Sequence, residues 1–194
     1  MTIVCLGDST TAGTPLFKSP IEAPPDGQGD ERSQFAYWLR LAHPDWTVLN
    51  CGVNGERSDE IAARFDRDVA GHRPDVVIVI AGVNDVYQGR TVEHVTSQLD
   101  GIYRRALSLG IRVVAGSIVP YNTATADQNA RMHAINDWIR SRADGEAGIR
   151  WVDTRLAAAA PGNIDRLASS PDELHPDVDG YRRMADALMA ALPS

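Results

Sequence analysis

Basic residues are in short supply. Nineteen lysines and arginines face 26 aspartates and glutamates, leaving a net charge of −7, and Lys18 is the only lysine. A protein that grips a phosphate backbone needs a basic face, so a nucleic-acid partner is excluded. Cysteine is scarce too: Cys5 and Cys51 cannot form a disulfide framework, and no Cys/His cluster has zinc-ligand spacing. Both thiols fall in expected strands and read as small buried hydrophobes, with a bond between them left open if those strands are neighbours. No apolar run approaches the length of a membrane helix, and Met1-Thr2-Ile3-Val4-Cys5-Leu6 enters a strand with no charged leader ahead of it. The expectation is a cytoplasmic protein with no stable membrane insertion. Neither G-x-G-x-x-G, a Walker A lysine nor the G-x-S-x-G elbow occurs, which argues against dinucleotide, P-loop and α/β-hydrolase-type sites.

What is present is an alternation of short apolar runs and longer amphipathic ones over 194 residues, enough for one domain spanning residues 1–194 with a core of its own. Strands are expected at Ile3–Leu6, Thr47–Asn50, Val76–Ala81, Arg112–Ser117 and Arg150–Val152. Between them run helical stripes: Phe35, Trp38, Leu39 and Ala42; Ile61, Phe65 and Val69; Val92 through Ala106 with Thr91 as N-cap; Met132, Ile135, Trp138 and Ile139; and Tyr181 through Leu192. Such alternation predicts a three-layer α/β/α sandwich around a five-stranded parallel sheet. The uniformly apolar Val76–Ile80 run fits a strand covered on both faces. Residues Thr14 to Arg32 carry four prolines and predict an irregular loop, placed to cover whatever follows the first strand.

Three separated stretches end where strands should end: Gly7-Asp8-Ser9, Gly82-Val83-Asn84-Asp85 and, near the C-terminus, Asp172-Glu173-Leu174-His175. In an open parallel sheet the loops beyond the carboxyl ends of the strands share one edge, so these residues are candidates for a common site. Ser9 needs a base to become a nucleophile, and imidazole takes and returns protons near neutral pH. His175 is that candidate, held on a loop by Pro176, and Asp172 stands three positions earlier, in reach of its Nδ1–H. Asp153 is a competing carboxylate of more structural character. Oxyanion donors would be the Ser9 N–H, the Gly55 N–H and the Asn84 amide. His43, His72, His94 and His133 lack partner motifs and read as structural.

These blocks resemble the SGNH hydrolases, the GDSL family of esterases and lipases. Gly7-Asp8-Ser9 is similar to the block that carries the nucleophile, with Thr10 where the family name has leucine. Asn50 to Ser58 is similar to the second block, Gly82-Val83-Asn84-Asp85 to the third and Asp172 to Pro176 to the fifth. The resemblance implies a flavodoxin-like sandwich and a serine hydrolase of carboxylic esters working without metal or cofactor. Short acyl or acetyl esters are favoured, and thioesters, lysophospholipids and acetylated carbohydrates are the alternatives within the family. It implies catalytic Ser9, Asp172 and His175, an oxyanion hole of Ser9, Gly55 and Asn84, and bracing roles for Asp8 and Asp85. Phe17, Tyr87 and Tyr121 are the aromatic candidates for substrate contact. A non-catalytic module that binds acyl or sugar groups is the rival reading from another class. Oligomeric state is not legible.

Overall fold

The computed structural model describes residues 1–192. Five parallel strands, β1 (Thr2–Gly7), β2 (Thr47–Gly52), β3 (Val76–Ile80), β4 (Arg112–Gly116) and β5 (Ile149–Val152), form a sheet in the order β2-β1-β3-β4-β5. In register, Ile3 pairs with both Val48 and Val76. This is the flavodoxin-like order, with its switch point between β1 and β3, where sheets of this kind take their ligands.

The helices in chain order are α1 (Ser9–Ala12), α2 (Phe35–Ala42), α3 (Ser58–Ala63), α4 (Phe65–Asp68), α5 (Val83–Tyr87), α6 (Val92–Ser108), α7 (Ala126–Asp144), α8 (Thr154–Ala158) and α9 (Val178–Met189). The period-2 pleat sends alternate strand residues to opposite layers. Val4, Leu6, Val77 and Val79 enter a core with Ile61, Phe65, Leu99, Ile102 and Ile135 from α3, α4, α6 and α7. Ile3, Cys5, Val76, Ile78 and Ile80 enter the other with Phe35, Leu39, Tyr181 and Leu188 from α2 and α9. All five residues of β3 are buried, each worth about 1.5–3 kcal/mol relative to exposure, which is why no polar residue interrupts that run.

The same pleat settles the cysteines. Their strands are neighbours, but Cys5 pairs with Asn50 and lies in one layer, while Cys51 pairs with Leu6 and lies in the other; both are free and buried.

Two local expectations need correction. The stripe Ile61, Phe65 and Val69 predicts one helix, yet α3 and α4 are separated at Arg64, whose φ of −98° and ψ of 6° leave helical geometry. The cause is polar: the Arg64 side chain turns into the sheet edge. Residues 14–32 are not a lid. Phe17–Lys18 pair antiparallel with Gln28–Gly29, and the excursion is pinned where Ser19 Oγ donates to the Gly52 carbonyl at 2.6 Å and Ser33 Oγ to the Gly13 carbonyl at 2.9 Å.

Candidate active site

Ser9 follows β1 directly as the first residue of α1, so its N–H has no acceptor within the helix. Asp8 is the N-cap, its Oδ1 accepting from Thr10 N at 3.0 Å. Burial pushes the Asp8 carboxyl up to about 7, against the pull of the Thr10 N–H and with the nearby Asp85 charge adding to the rise. Its Oδ2 has no hydrogen-bond partner among the described residues. The C-terminal end of α1 is fixed to β2 by the buried Asn50, whose Nδ2 donates to the Ala12 carbonyl and to Gln34 Oε1. Gly52 lies so close to the Ala12 backbone that a Cβ would collide with it.

His175 comes from the loop ahead of α9, and its Nε2 lies 2.8 Å from Ser9 Oγ across 166 residues of sequence. Its Nδ1 is 2.7 Å from Asp172 Oδ2, while Asp172 Oδ1 accepts the N–H groups of His175 at 2.9 Å and Leu174 at 3.0 Å. Burial raises the Asp172 carboxyl, but the bond to the His175 ring and the two backbone donors outweigh it and hold the group below the ordinary aspartate value. The carboxylate can face back on its own ring because Glu173 sits at φ +66°, a left-handed conformation uncommon outside glycine. The Glu173 carbonyl accepts Asn122 N at 2.8 Å, which anchors this turn to the loop after β4. Asp153 serves elsewhere: it caps α8 through Leu156 N and accepts from Ser117 Oγ.

The loops after β2 and β3 meet at Asn84, whose Nδ2 donates to the Glu56 carbonyl at 2.9 Å and keeps its second hydrogen free of that bond. Gly55 precedes Glu56 and is exposed at the rim with φ +80°. A side chain there would meet nothing within 4 Å, so the left-handed backbone rather than crowding is what calls for glycine. Asp85, fully buried, accepts Ser58 N and Ser58 Oγ, both at 2.8 Å, and so ties the start of α3 to α5.

Ser9 and His175 open into a cleft of about 200 Å³ lined also by Thr10, Asn54, Val83, Asn84, Tyr87, Val119, Tyr121 and Leu174. Tyr87 is exposed and stands edge-on to the buried Tyr121, ring centroids 6.1 Å apart. Phe17 is not there. It is buried beneath the 14–32 excursion, lining a separate cavity with Pro20, Ile21 and Pro25, because the short pairing with Gln28–Gly29 turns it inward. No residue of the excursion lines the cleft. Its contribution is indirect, through Glu22 Oε1, which accepts the backbone N–H of Asn54 at 3.0 Å. Asp59, Asp85 and His94 bring one donor atom each within 4.8 Å of one another, yet Asp85 is bonded to Ser58 and Asp59 to Arg57, so the set is already engaged.

The sequence reading missed Arg64. Its side chain is 6% exposed and reaches Glu56, Asp68 and the carbonyls of Gly7 and Cys51. A signal existed: an arginine three residues after Ile61 and next to Phe65 falls on the edge of an apolar stripe.

A doubly wound sandwich with a serine–histidine–aspartate chain at its switch point defines a class, that of hydrolytic enzymes built on a flavodoxin-like sheet. The family model for the GDSL-like Lipase/Acylhydrolase family matches residues 5–183, and the chain belongs to that family. An acetylxylan esterase from Geobacillus stearothermophilus is 24% identical over 164 residues, which is 78% of this chain and 75% of the relative. A member of the lipolytic protein G-D-S-L family from Veillonella parvula superposes with a TM-score of 0.79 at 21% identity, covering 99% of this chain and 98% of the other. A variant of an acetyl-xylooligosaccharide esterase from the Geobacillus species gives 0.76 at 20% identity, covering 97% and 92%. Two further structures of that esterase are described as catalytic mutants, one with a serine and one with an aspartate replaced by alanine. The protein is a carboxylic ester hydrolase. Among the described residues no helix is long and apolar enough to cross a membrane.

Proposed function

We propose that the protein hydrolyses short-chain esters, acetyl esters above all, through an acyl-enzyme on Ser9, with residues 1–194 acting as one domain. The observation that carries this reading is the 2.8 Å contact of Ser9 Oγ with His175 Nε2 inside a small cleft, with Asp172 on the far ring nitrogen. Ser9 Oγ attacks the acyl carbon as its proton passes to Nε2, and the Asp172 carboxylate steadies the imidazolium that forms. The developing oxyanion is met by the Ser9 N–H, the Gly55 N–H and the free hydrogen of Asn84 Nδ2. His175 then hands its proton to the leaving alcohol. A water repeats the cycle: it loses a proton to Nε2, adds to the acyl carbon and releases the acid and Ser9. Asp8 and Asp85 brace the loops and touch no reacting atom.

The size of the acyl group follows from the cleft. About 200 Å³ falls below the roughly 300–1,000 Å³ of pockets that enclose drug-sized ligands, and Val83, Val119 and Leu174 supply an apolar wall for a short chain. Tyr87, at the exposed rim, and Tyr121 behind it are placed to contact the alcohol part. The acetylxylan esterase relative supports an acetylated carbohydrate as one such alcohol.

Wild type and Ser9→Ala are compared on p-nitrophenyl acetate, butyrate and decanoate and on an acetylated xylo-oligosaccharide. Acetate is expected to give the highest kcat/KM, and Ser9→Ala to lose about 10⁴-fold or more in turnover while folding normally. His175→Ala loses nearly as much, because residues that act as a unit are not additive. A preference for decanoate would favour the lysophospholipase or thioesterase reading, and full turnover in Ser9→Ala would remove Ser9 from the mechanism. A wild type that binds these esters without turning them over would leave only the binding module.

A further inference from the structure

We infer that Arg64 is the positioning residue that sets the three oxyanion donors relative to one another; the inference rests on the ester-hydrolase reading above. Its guanidinium is buried and fully engaged on four sides. Nε donates to Glu56 Oε2 at 2.6 Å, Nη1 to the Cys51 carbonyl at 2.7 Å and to Asp68 Oδ2 at 2.6 Å, and Nη2 to the Gly7 carbonyl at 2.7 Å. Two of these acceptors are the last carbonyls of neighbouring strands, which a parallel sheet leaves pointing out of its carboxyl edge. Gly7 stands two residues before Ser9. Glu56 follows Gly55 directly, and its own carbonyl receives the Asn84 amide. One planar cation therefore holds the base of the Ser9 turn, the side chain next to Gly55 and, through one further bond, the orientation of Asn84.

The chemistry favours arginine for this task. Five donors in a rigid fork reach four acceptors in fixed directions, whereas a lysine ammonium has three donors and no fork. Burying a cation is costly unless it is paired, and here the pairing is with two carboxylates, Glu56 and Asp68. Asp68 is steadied in turn by Arg67, so the cluster carries two cations and two anions. Arg64 is also where the helix expected over 61–69 breaks, so local helical geometry is given up for this placement. A residue that merely filled space would not need to leave the helix.

A second buried arginine provides the matched control. Arg155 is 2% exposed and bonds to the Ile118 carbonyl, Asn129 and Asp165, with no contact to Gly7, Glu56 or Asn84. The experiment measures kcat and KM on p-nitrophenyl acetate per folded enzyme for wild type, Arg64→Lys, Arg64→Met, Glu56→Gln and Arg155→Met, with thermal melts of each. Arg64→Met is expected to lose about 100-fold in kcat, the size of one missing oxyanion donor, with KM within threefold of wild type. Arg64→Lys falls between, and Arg155→Met lowers the melting temperature while keeping kcat per folded molecule. Glu56→Gln keeps the Gly7, Cys51 and Asp68 contacts, so it folds even where Arg64→Met does not. It is expected to lose about tenfold in kcat, as a barrier rise near 1.4 kcal/mol gives. Glu56→Gln and Arg64→Lys both within twofold of wild type would overturn the inference, as would an equal kcat loss in Arg155→Met. A wild type with no turnover would instead sink the ester reading itself, so the two failures are distinct.

Discussion

On the serine side of the cleft, the loops after β1, β2 and β3 are clamped by bonds that leap across the sequence: Arg64 to Gly7 over 57 residues, Ser58 to Asp85 over 27. On the histidine side, Asp172 takes hydrogen bonds from Leu174, the His175 backbone and the His175 ring, all within three residues. The first arrangement is buried, charged and dependent on the whole fold; the second is a turn that largely orders itself. The difference matches what each side must do. Oxyanion donors lower a barrier only when they are fixed before charge develops, and fixing three of them from three loops requires long-range bonds. A base needs only the right ring orientation and tautomer, which one adjacent carboxylate supplies.

If the comparison is right, variants on the two sides differ in what they cost. The largest effect belongs to the histidine side. Asp172→Asn retains an acceptor for the backbone donors but presents the wrong partner to Nδ1, and kcat is expected to fall about 10³–10⁴-fold. Its melting temperature should stay within a few degrees of wild type, which steady-state kinetics and thermal melts check together. A large loss of stability there would break the contrast.

Asn84→Ala removes one donor and the bond to Glu56, and kcat on p-nitrophenyl acetate should drop about 10²–10³-fold with little change in KM. Asp85→Asn reaches no reacting atom, but one end of its amide would turn a donor toward the donors of Ser58. The expected cost is about 1.5–3 kcal/mol, roughly 5 °C in melting temperature for a chain of this size. A melt of Asp85→Asn that overlays wild type would show that the serine side does not depend on its long-range clamps.

The smallest effect is one of pH, and it carries opposite signs on the two sides. An unfolded aspartate loses its proton near about 3.9. Folded Asp8 keeps its proton up to about 7, so between those values the folded state binds more protons and stability falls as pH rises. Asp172 is held below the ordinary value, so its contribution is present above that value and is lost as pH falls through the folded one. Asp8→Asn keeps an N-cap acceptor and removes the first dependence. Relative to this variant, wild type should therefore be more stable at pH 5 than at pH 8. An unchanged difference across that window would show that Asp8 ionises normally.

The same contrast explains what the sequence made legible. The sheet was readable because each strand is a short apolar run, and β3 announced its double burial by having no polar residue. The pairing of Asp172 with His175 was readable because three positions separate them. Arg64 was not, since nothing local distinguishes an arginine that serves two distant carbonyls from one that faces solvent. The Asp85–Ser58 and Asn50–Ala12 bonds were hidden for the same reason. Phe17 and the 14–32 excursion misled because a proline-rich segment carries no periodicity to say which way its aromatic points. The structure shows it pointing inward, with Glu22 rather than Phe17 reaching toward the loop that bears Gly55.

The central claim is that Ser9 carries the acyl group, and intact and peptide mass spectrometry during turnover of p-nitrophenyl acetate tests it most directly. The account predicts one acetyl group on the peptide ending at Lys18, absent in Ser9→Ala and formed far more slowly in His175→Ala. Full turnover with that peptide unmodified, or with the acetyl group on another side chain, would contradict it.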